Sequence, residues 1–484
     1  MRHRPPRGFA LAVVGTVAAL VTGGSAIMVA HARAVPETGP VAVPVQGPRP
    51  AQLPTPRADF NGDGYEDLAL SAPGGTVDGL PGAGSVTVMY GSPAGASPED
   101  RQLVDQSTRE VPGHPSRDGG FGTTTVARDL DGDGRTDLVV GTGDGSAPLL
   151  LRGAKDGLRA GARLSGGATD GRAMAGGDFD GDGQDDLAVV PRGDGHGVRI
   201  LYGPFRDGAP ASSGTVGADR TRKPGQLVAG DVDGDGRDDL LALPDSATGA
   251  SRLYPGSAKG LTDRATTLAP ATTGTIADVD NDGHGDLVLG VPYGGATEGP
   301  DDRGRLRVLY GAADGVSDRS TLIDQNTPGI PGSAQQGDHF GFSLSSGDVN
   351  GDGYADIAVG VPHKTLGGDR TGTGVVIVLK GGAEGLTGAG ALAFHQDTTE
   401  VPGTARAHDH FGHAVSLRDT DDDGRAELCV GAPGKDHRAA RQAGAVWLLR
   451  GDPGGTSTEA VLSYGPADLG FPEDGASLGR SLAR

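Results

Sequence analysis

A nine-residue pattern, with an acid or amide at positions 1, 3, 5 and 9 and glycine at position 6, recurs seven times in this chain of 484 residues. At positions 1, 3, 5, 7 and 9 the first copy reads Asp59, Asn61, Asp63, Tyr65 and Asp67, and the second Asp129, Asp131, Asp133, Arg135 and Asp137. The third is Asp178, Asp180, Asp182, Gln184 and Asp186, the fourth Asp231, Asp233, Asp235, Arg237 and Asp239, and the fifth Asp278, Asp280, Asp282, His284 and Asp286. The last two are Asp348, Asn350, Asp352, Tyr354 and Asp356, then Asp419, Asp421, Asp423, Arg425 and Glu427. Position 6 is Gly64, Gly134, Gly183, Gly236, Gly283, Gly353 and Gly424. There the backbone is expected to bend sharply, with little room for a Cβ. Such a turn aims the side-chain oxygens, with the position-7 main-chain carbonyl, at one hard cation, which is the chemistry of a calcium loop.

Up to seven Ca2+ ions are therefore expected, in a structural role. A site repeated seven times is ill suited to be a single active centre. Each ion would neutralise a cluster of mutually repelling carboxylates, so its affinity for the folded state becomes folding energy. An EF-hand would require a glutamate at position 12 between helices. Position 12 is instead Leu70, Val140, Val189, Ala242, Leu289, Val359 and Val430, within short apolar runs that read as buried strands. Each loop thus joins strand to strand.

Loop starts lie 70, 49, 53, 47, 70 and 71 residues apart, the span of a four-stranded propeller blade. In the unit around Asp348, the expected strands are Phe340 to Leu344 (A), Ile357 to Val359 (B), Gly374 to Leu379 (C) and Leu392 to His395 (D). The predicted fold is all-β, a seven-bladed β-propeller of four-stranded blades. The first loop has no strand A before it, whereas residues 477–483 have the look of one with no loop after it. The C-terminal strand is expected to complete blade 1 and close the ring.

The 88 glycines sit at fixed places in a repeat, so they do not signal low complexity. Of the 63 acidic residues, 26 occupy positions 1, 3, 5 and 9 of the loops, which accounts for much of the net charge of −21. No basic stripe points to nucleic acid. Cys429, the single cysteine, falls on an apolar strand and reads as a small buried hydrophobe. Residues 1–32 read as a secretory signal peptide: Arg2, Arg4 and Arg7 precede an uncharged run from Gly8 to Ala30, followed by a small-x-small site. Retention as an uncleaved anchor is the alternative. Residues 33–57 form a proline-rich linker and 58–484 the propeller, so the protein is expected to be extracellular.

These motifs resemble the FG-GAP repeat of integrin α-chain propellers and of glycosylphosphatidylinositol phospholipases D. Phe-Gly appears as Phe121-Gly122, Phe340-Gly341 and Phe411-Gly412, and Gly-Ala-Pro literally at Gly431-Ala432-Pro433, with variants ending in Pro73, Pro292 and Pro362. Blades 3 and 4 depart from the pattern, keeping only Pro191 and Pro244. The resemblance implies a protein- or glycan-binding adhesion module, expected to act as a monomer without catalysis. The alternative is a secreted hydrolase or lyase acting on polysaccharide or ester, although no catalytic grouping stands out beyond the metal loops.

The B–C connections are short in blades 2, 3 and 4 and long in blades 5, 6, 7 and 1, at about 293–304, 363–373, 434–443 and 74–83. These form one continuous sector on the face opposite the acidic loops, suggesting a ligand platform that bears Tyr293, Asp301, Asp302, Arg303, His363, Lys364, Asp369, Arg370, Lys435, His437, Arg438 and Arg441. His339 and His410 read as hydrogen-bonding residues at strand starts. Arg192-Gly193-Asp194 and Arg450-Gly451-Asp452 are expected to arise from composition alone.

Overall fold

The computed structural model describes residues 57–165, 169–193, 196–218, 223–246, 248–293 and 302–483. The segments read as signal peptide and proline-rich linker, except Arg57, lie outside the described residues, as do Asp194 and Asp301. Seven four-stranded antiparallel sheets follow one another along the chain. Blade 6 shows the plan: strand A is Ser343–Gly347, B is Asp356–Val361, C is Val375–Leu379 and D is Leu392–Phe394, each paired with the next.

Strand B is apolar along its length because a neighbouring blade covers each face. Ile357 and Val359 pack with Val288 and Val308 of blade 5, whereas Ala358 packs with Val415, Leu428 and Val430 of blade 7. One such apolar cluster fills every blade boundary, seven in all, and together they replace a single central core. The A strands of successive blades approach one another around the axis: Thr275 Oγ1 lies 3.3 Å from Ser346 Oγ, and the Leu417 N–H donates to Ser345 Oγ at 3.0 Å. Cys429 sits within the boundary of blades 7 and 1, where burial pushes its thiol up to about 12, as befits a packing residue.

The ring closes as expected. Ser481–Leu482 pairs antiparallel with Leu68–Ala72, placing Leu70 opposite Leu482 and Ser71 opposite Ser481. Leu478 and Leu482 join Cys429, Val446 and Leu448 of blade 7 in the last apolar cluster. Two features were not foreseen, a short helix at Pro466–Leu469 and a two-stranded ribbon pairing Gly451–Asp452 with Gly455–Thr456.

One expectation needs correction. Phe-Gly does not begin strand A: in blades 2, 6 and 7 that strand starts at Thr125, Ser343 and Ala414. Phe121, Phe340 and Phe411 are instead fully buried in the preceding turn, clasped by the B–C loop of the previous blade. Phe121 N–H donates to Ala83 O (2.9 Å), Phe340 N–H to Arg303 O (2.9 Å), Phe411 N–H to Thr373 O (3.0 Å) and Leu478 N–H to Ala443 O (3.1 Å). The four long B–C loops, in blades 1, 5, 6 and 7, are those followed by a blade with this anchored apolar residue. Among the described residues, blades 3, 4 and 5 show no such anchor, and they follow short loops. Loop length on this sector therefore has a structural cause.

In blades 6 and 7 the start of the B–C loop is further pinned by a buried ion pair. Lys364 Nζ lies 2.6 Å from Asp338 Oδ2, and Lys435 Nζ lies 2.8 Å from Asp409 Oδ2. Gln325 and Gln396 each donate to the same carboxylates at 3.0 Å. Blade 1 has lost both partners together, carrying Gly75 and Ala476 at these places.

Two stability predictions result. Leu478→Ala should cost about 2–5 kcal/mol, and deletion of residues 477–484 should lower the melting temperature further; an unchanged melt would show that the terminal strand does not close the ring. Lys364→Ala should cost about 3–5 kcal/mol by stranding Asp338. The double change Lys364→Ala/Asp338→Ala should recover part of that loss in urea denaturation, whereas a strictly additive double variant would argue against coupling.

Candidate metal centres

Each acidic loop folds around its own position-1 carboxylate. In the first loop Asp59 Oδ1 accepts from the N–H groups of Gly62 (2.6 Å) and Asp63 (3.1 Å), and Oδ2 from that of Gly64 (2.8 Å). The same bond from the position-6 glycine recurs at 2.8–2.9 Å in the other six loops. That glycine has φ between 81° and 96° in all seven. A Cβ built on six of them would meet nothing within 4 Å, so the reason for glycine is the left-handed backbone rather than the crowding expected from the sequence.

This wrapping leaves side-chain oxygens converging. Carboxylate oxygens of Asp129, Asp131 and Asp137 lie within 4.8 Å of one another, as do those of Asp178, Asp180 and Asp186, of Asp231, Asp233 and Asp239, and of Asp419, Asp421 and Glu427. In the fifth loop the converging set is Asp278, Asp280 and Asp282. There Arg319 from strand D reaches Asp280 Oδ2 at 2.5 Å while its guanidinium lies 3.6 Å from the centre of the Tyr310 ring. In the first and sixth loops Asn61 and Asn350 bridge to the position-5 acid, each donating from Nδ2 to Asp63 or Asp352 at 3.0 Å. An all-oxygen donor set of this kind suits a hard divalent cation.

Position 7 contributes no oxygen from its arginine and histidine side chains. Arg135, Arg237 and His284 turn back to Asp133, Asp235 and Asp282 at 3.3, 2.5 and 3.1 Å, and Arg425 does the same to Asp423.

The position-9 carboxylate is the buried member of the set. Asp67 accepts from Phe60 N–H and from Gly91 N–H, both at 2.8 Å, tying the loop to the end of strand C. Asp137, Asp186, Asp239, Asp286 and Asp356 repeat both bonds. Glu427, one methylene longer, takes the N–H and the hydroxyl of Thr420, which stands where the other loops carry an apolar residue. Burial pushes the Asp67 carboxyl up to about 8 and the other six to about 7; nearby loop acids add to the rise, and hydrogen bonds to the carboxylate oppose it.

Two further signals were readable in the repeat but were missed. Position 2 is a fully buried anchor: Phe60, Leu130, Phe179, Val232, Val279 and Val349 are all at 0% exposure. A glycine stands at the end of strand C or within two residues beyond it in every blade: Gly91, Gly153, Gly203, Gly256, Gly311, Gly381 and Gly451. A Cβ there would stand within 3.0 Å of a backbone oxygen or a neighbouring side-chain carbon in each case. Gly451 belongs to Arg450-Gly451-Asp452, and Asp452 N–H donates to Val349 O of the preceding blade at 3.1 Å. That tripeptide is thus part of the blade junction.

The position-8 N–H crosses to the position-1 carbonyl of the preceding loop in five junctions: Thr136 to Asp59, Asp238 to Asp178, Gly285 to Asp231, Ala355 to Asp278 and Ala426 to Asp348, at 2.7–3.1 Å. Between the second and third loops the rung runs through a side chain, with Asp129 N–H donating to Asp185 Oδ2 at 3.1 Å. The seven loops therefore share one face as a linked series.

On the opposite face the residues read as a platform divide into two groups. Lys364 and Lys435 are engaged in the buried pairs described above. Arg370 pairs with Asp397 at 2.6 Å, His437 Nδ1 lies 2.8 Å from Glu473, and Asp302 accepts from Gly337 N–H at 2.8 Å. Tyr293 is 49% exposed, and Asp369, Arg438 and Arg441 lie on the same loop tips.

The FG-GAP repeat family matches residues 57–89, 271–309, 340–379 and 411–449, and the FG-GAP-like repeat matches 129–189 and 231–289, so all seven loops fall within matched segments. The chain is similar to integrin alpha-PS2 of Drosophila melanogaster, with 33% identity over 220 residues that cover 39% of this chain and 15% of that protein. It is 30% identical over 227 residues to integrin alpha pat-2 of Caenorhabditis briggsae, covering 39% of this chain and 18% of the relative. It is also 32% identical over 158 residues to phosphatidylinositol-glycan-specific phospholipase D of Rattus norvegicus, covering 32% and 18%. The matched region is less than a fifth of each relative. Among the described residues no helix is long and apolar enough to cross a membrane. With the repeats matched and the ring of seven blades closed, the chain belongs to the integrin α-like FG-GAP β-propellers.

Proposed function

We propose that this is an exported, calcium-stabilised propeller that binds an extracellular protein or glycan without catalysing a reaction, and that it acts as a monomer. The observation that carries the reading is the division of labour between faces. Acidic loops linked from blade to blade occupy one face, while the other carries loop tips beyond what the clasp on the next blade requires. Similarity to integrin alpha chains supports a binding role.

Calcium would be held by the side chains at positions 1, 3, 5 and 9 of each loop, with a position-7 carbonyl available. Its charge would let the buried position-9 carboxyls ionise. The fifth loop, where the Arg319 guanidinium already sits on Asp280, should hold it most weakly.

The sign of the pH dependence without metal is set by those carboxyls. Their folded-state values, about 7 to 8, lie above the ordinary carboxylate range, so the folded state binds more protons than the unfolded chain in between. Stability then falls as pH rises through that window. In EDTA the melting temperature should be higher at about pH 5.5 than at about pH 8, and added calcium should raise it more at the higher pH. A metal-free melt that rises with pH, or a calcium shift equal at both values, would contradict this assignment.

The ligand face is tested by replacing the tips 76–81, 366–371 and 437–441 with Gly-Ser segments while keeping the clasping residues 82–84, 372–374 and 442–444. Binding partners found on glycan arrays and in extracellular protein pull-downs should be lost while the ring stays folded and keeps its calcium. Full retention of those interactions by the swapped protein would remove the platform.

A further inference from the structure

Five imidazoles gather on the face opposite the acidic loops, at the inner edge of blades 6 and 7. His339 and His410 immediately precede the buried Phe340 and Phe411, His363 follows Pro362 at the end of strand B, His413 follows Gly412, and His408 lies two residues before His410. Ring centres are separated by 4.5 Å for His339 and His363, 5.0 Å for His363 and His410, and 6.0 Å for His408 and His410. Phe342 links the group to His413 at 5.1 Å.

The scaffold does not require histidine at these places. The position before the buried apolar anchor is left-handed in every blade that has one, and it is filled by Gly120 (φ 59°), His339 (58°), His410 (57°) and Ser477 (54°). Glycine adopts that backbone most readily, yet two adjacent blades carry histidine. The position of His363 is occupied by Gly74 in blade 1 and Gly434 in blade 7, and that of His413 by Thr123, Phe342 and Arg480 in blades 2, 6 and 1.

Ring nitrogens in the group are also left unpartnered. Nδ1 of His339 and Nδ1 of His413 are shielded from solvent without a hydrogen-bond partner. His410 Nε2 and His408 Nδ1 both approach one spot beside Gly372, at 3.1 and 3.5 Å from where a Cβ would stand. Burial, with the neighbouring imidazoles, holds His363 down to about 4, and burial lowers His339, His410 and His413 as well. Burial of these four rings thus favours the neutral form, which is the one that ligates metals. The adjacent carboxylates Asp338 and Asp409 are already engaged by Lys364 and Lys435, so imidazole dominates the available donors.

We propose that His339, His363 and His410, with His408 beside them, form a second class of cation site that takes an imidazole-preferring transition metal such as Zn2+ or Ni2+. Imidazole nitrogen suits these ions, whereas calcium demands oxygen, so the two classes do not compete. His363 stacks on His410 with an interplanar angle of 27°. Ligation therefore requires the rings to turn until their nitrogens face one ion, and a side chain at Gly372 would press on His410, since its Cβ would stand 3.1 Å from Nε2.

The test uses the full chain, produced without a histidine tag and kept in excess calcium, titrated with Ni2+ and separately with Zn2+ by calorimetry. A single transition ion should bind. His363→Gly and His410→Gly, which install residues that other blades already carry at those positions, should each weaken it by about tenfold or more without changing calcium content or melting temperature. His437→Ala, outside the cluster, should bind as wild type. The site is refuted if neither ion binds in excess calcium, if the double variant His363→Gly/His410→Gly binds as tightly as wild type, or if His437→Ala abolishes binding.

Discussion

The structure depends on the junction between neighbouring acidic loops, where backbone groups that would end one blade are used to hold the next. A sheet of four short strands buries too little to stand alone, and each blade here obtains its remaining apolar cover from its neighbours. The loops fix the geometry of that contact. The position-8 N–H reaches the preceding loop's position-1 carbonyl. The first residues beyond strand C reach the preceding position-2 carbonyl, as Ser92 does to Thr420 and Gly382 to Val279. A glycine at the end of strand C permits the close approach, and the position-2 side chain fills the boundary from the same turn. Loop, boundary and ring are one construction, so a change in a loop is felt across the seam.

The same construction concentrates negative charge. With the position-9 carboxyl buried beneath the carboxyls of positions 1 and 3, the loop must either keep a proton or receive a cation. N–H groups supply part of the compensation, up to four per carboxylate at position 1, as at Asp348. Arginines supply more: Arg135, Arg237 and Arg425 cover their own position-5 acids, and Arg152 approaches Asp131 at 3.7 Å. At the point where the position 1, 3 and 9 oxygens converge, a divalent ion would complete the balance that the protein leaves open.

Much of this was legible in the residues, and the failures have physical causes. Blade number, strand order and ring closure could be read because the loop motif is periodic and strand B is buried on both faces, which makes its pattern unmistakable. Strand A was misplaced because Phe340-Gly341 is apolar and precedes a strand. Only the structure shows that His339 and Gly341 take left-handed backbone, which turns the chain before pairing begins. The buried lysines were misread as surface charges, since nothing local distinguishes Lys364 from an exposed residue; its partner Asp338 lies 26 positions away. The histidine cluster was divided among separate motifs for the same reason. By contrast, the glycine at the end of strand C was available to sequence reasoning in all seven copies.

The ring is uneven, and the unevenness has a direction. Blades 6 and 7 are held at both ends, by the acidic loops on one face and by the clasp and the buried ion pair on the other. Blades 3 and 4 are held chiefly by the acidic loops and their apolar boundaries, and their A strands, Thr169–Gly177 and Pro224–Gly230, pair with strand B through register shifts. A surface presented by blades 6 and 7 is thus tied at both ends of its sheets, and a residue so fixed loses little further freedom when it meets a partner. Placing unusual side chains there rather than over blades 3 and 4 uses the part of the scaffold best able to hold them in position.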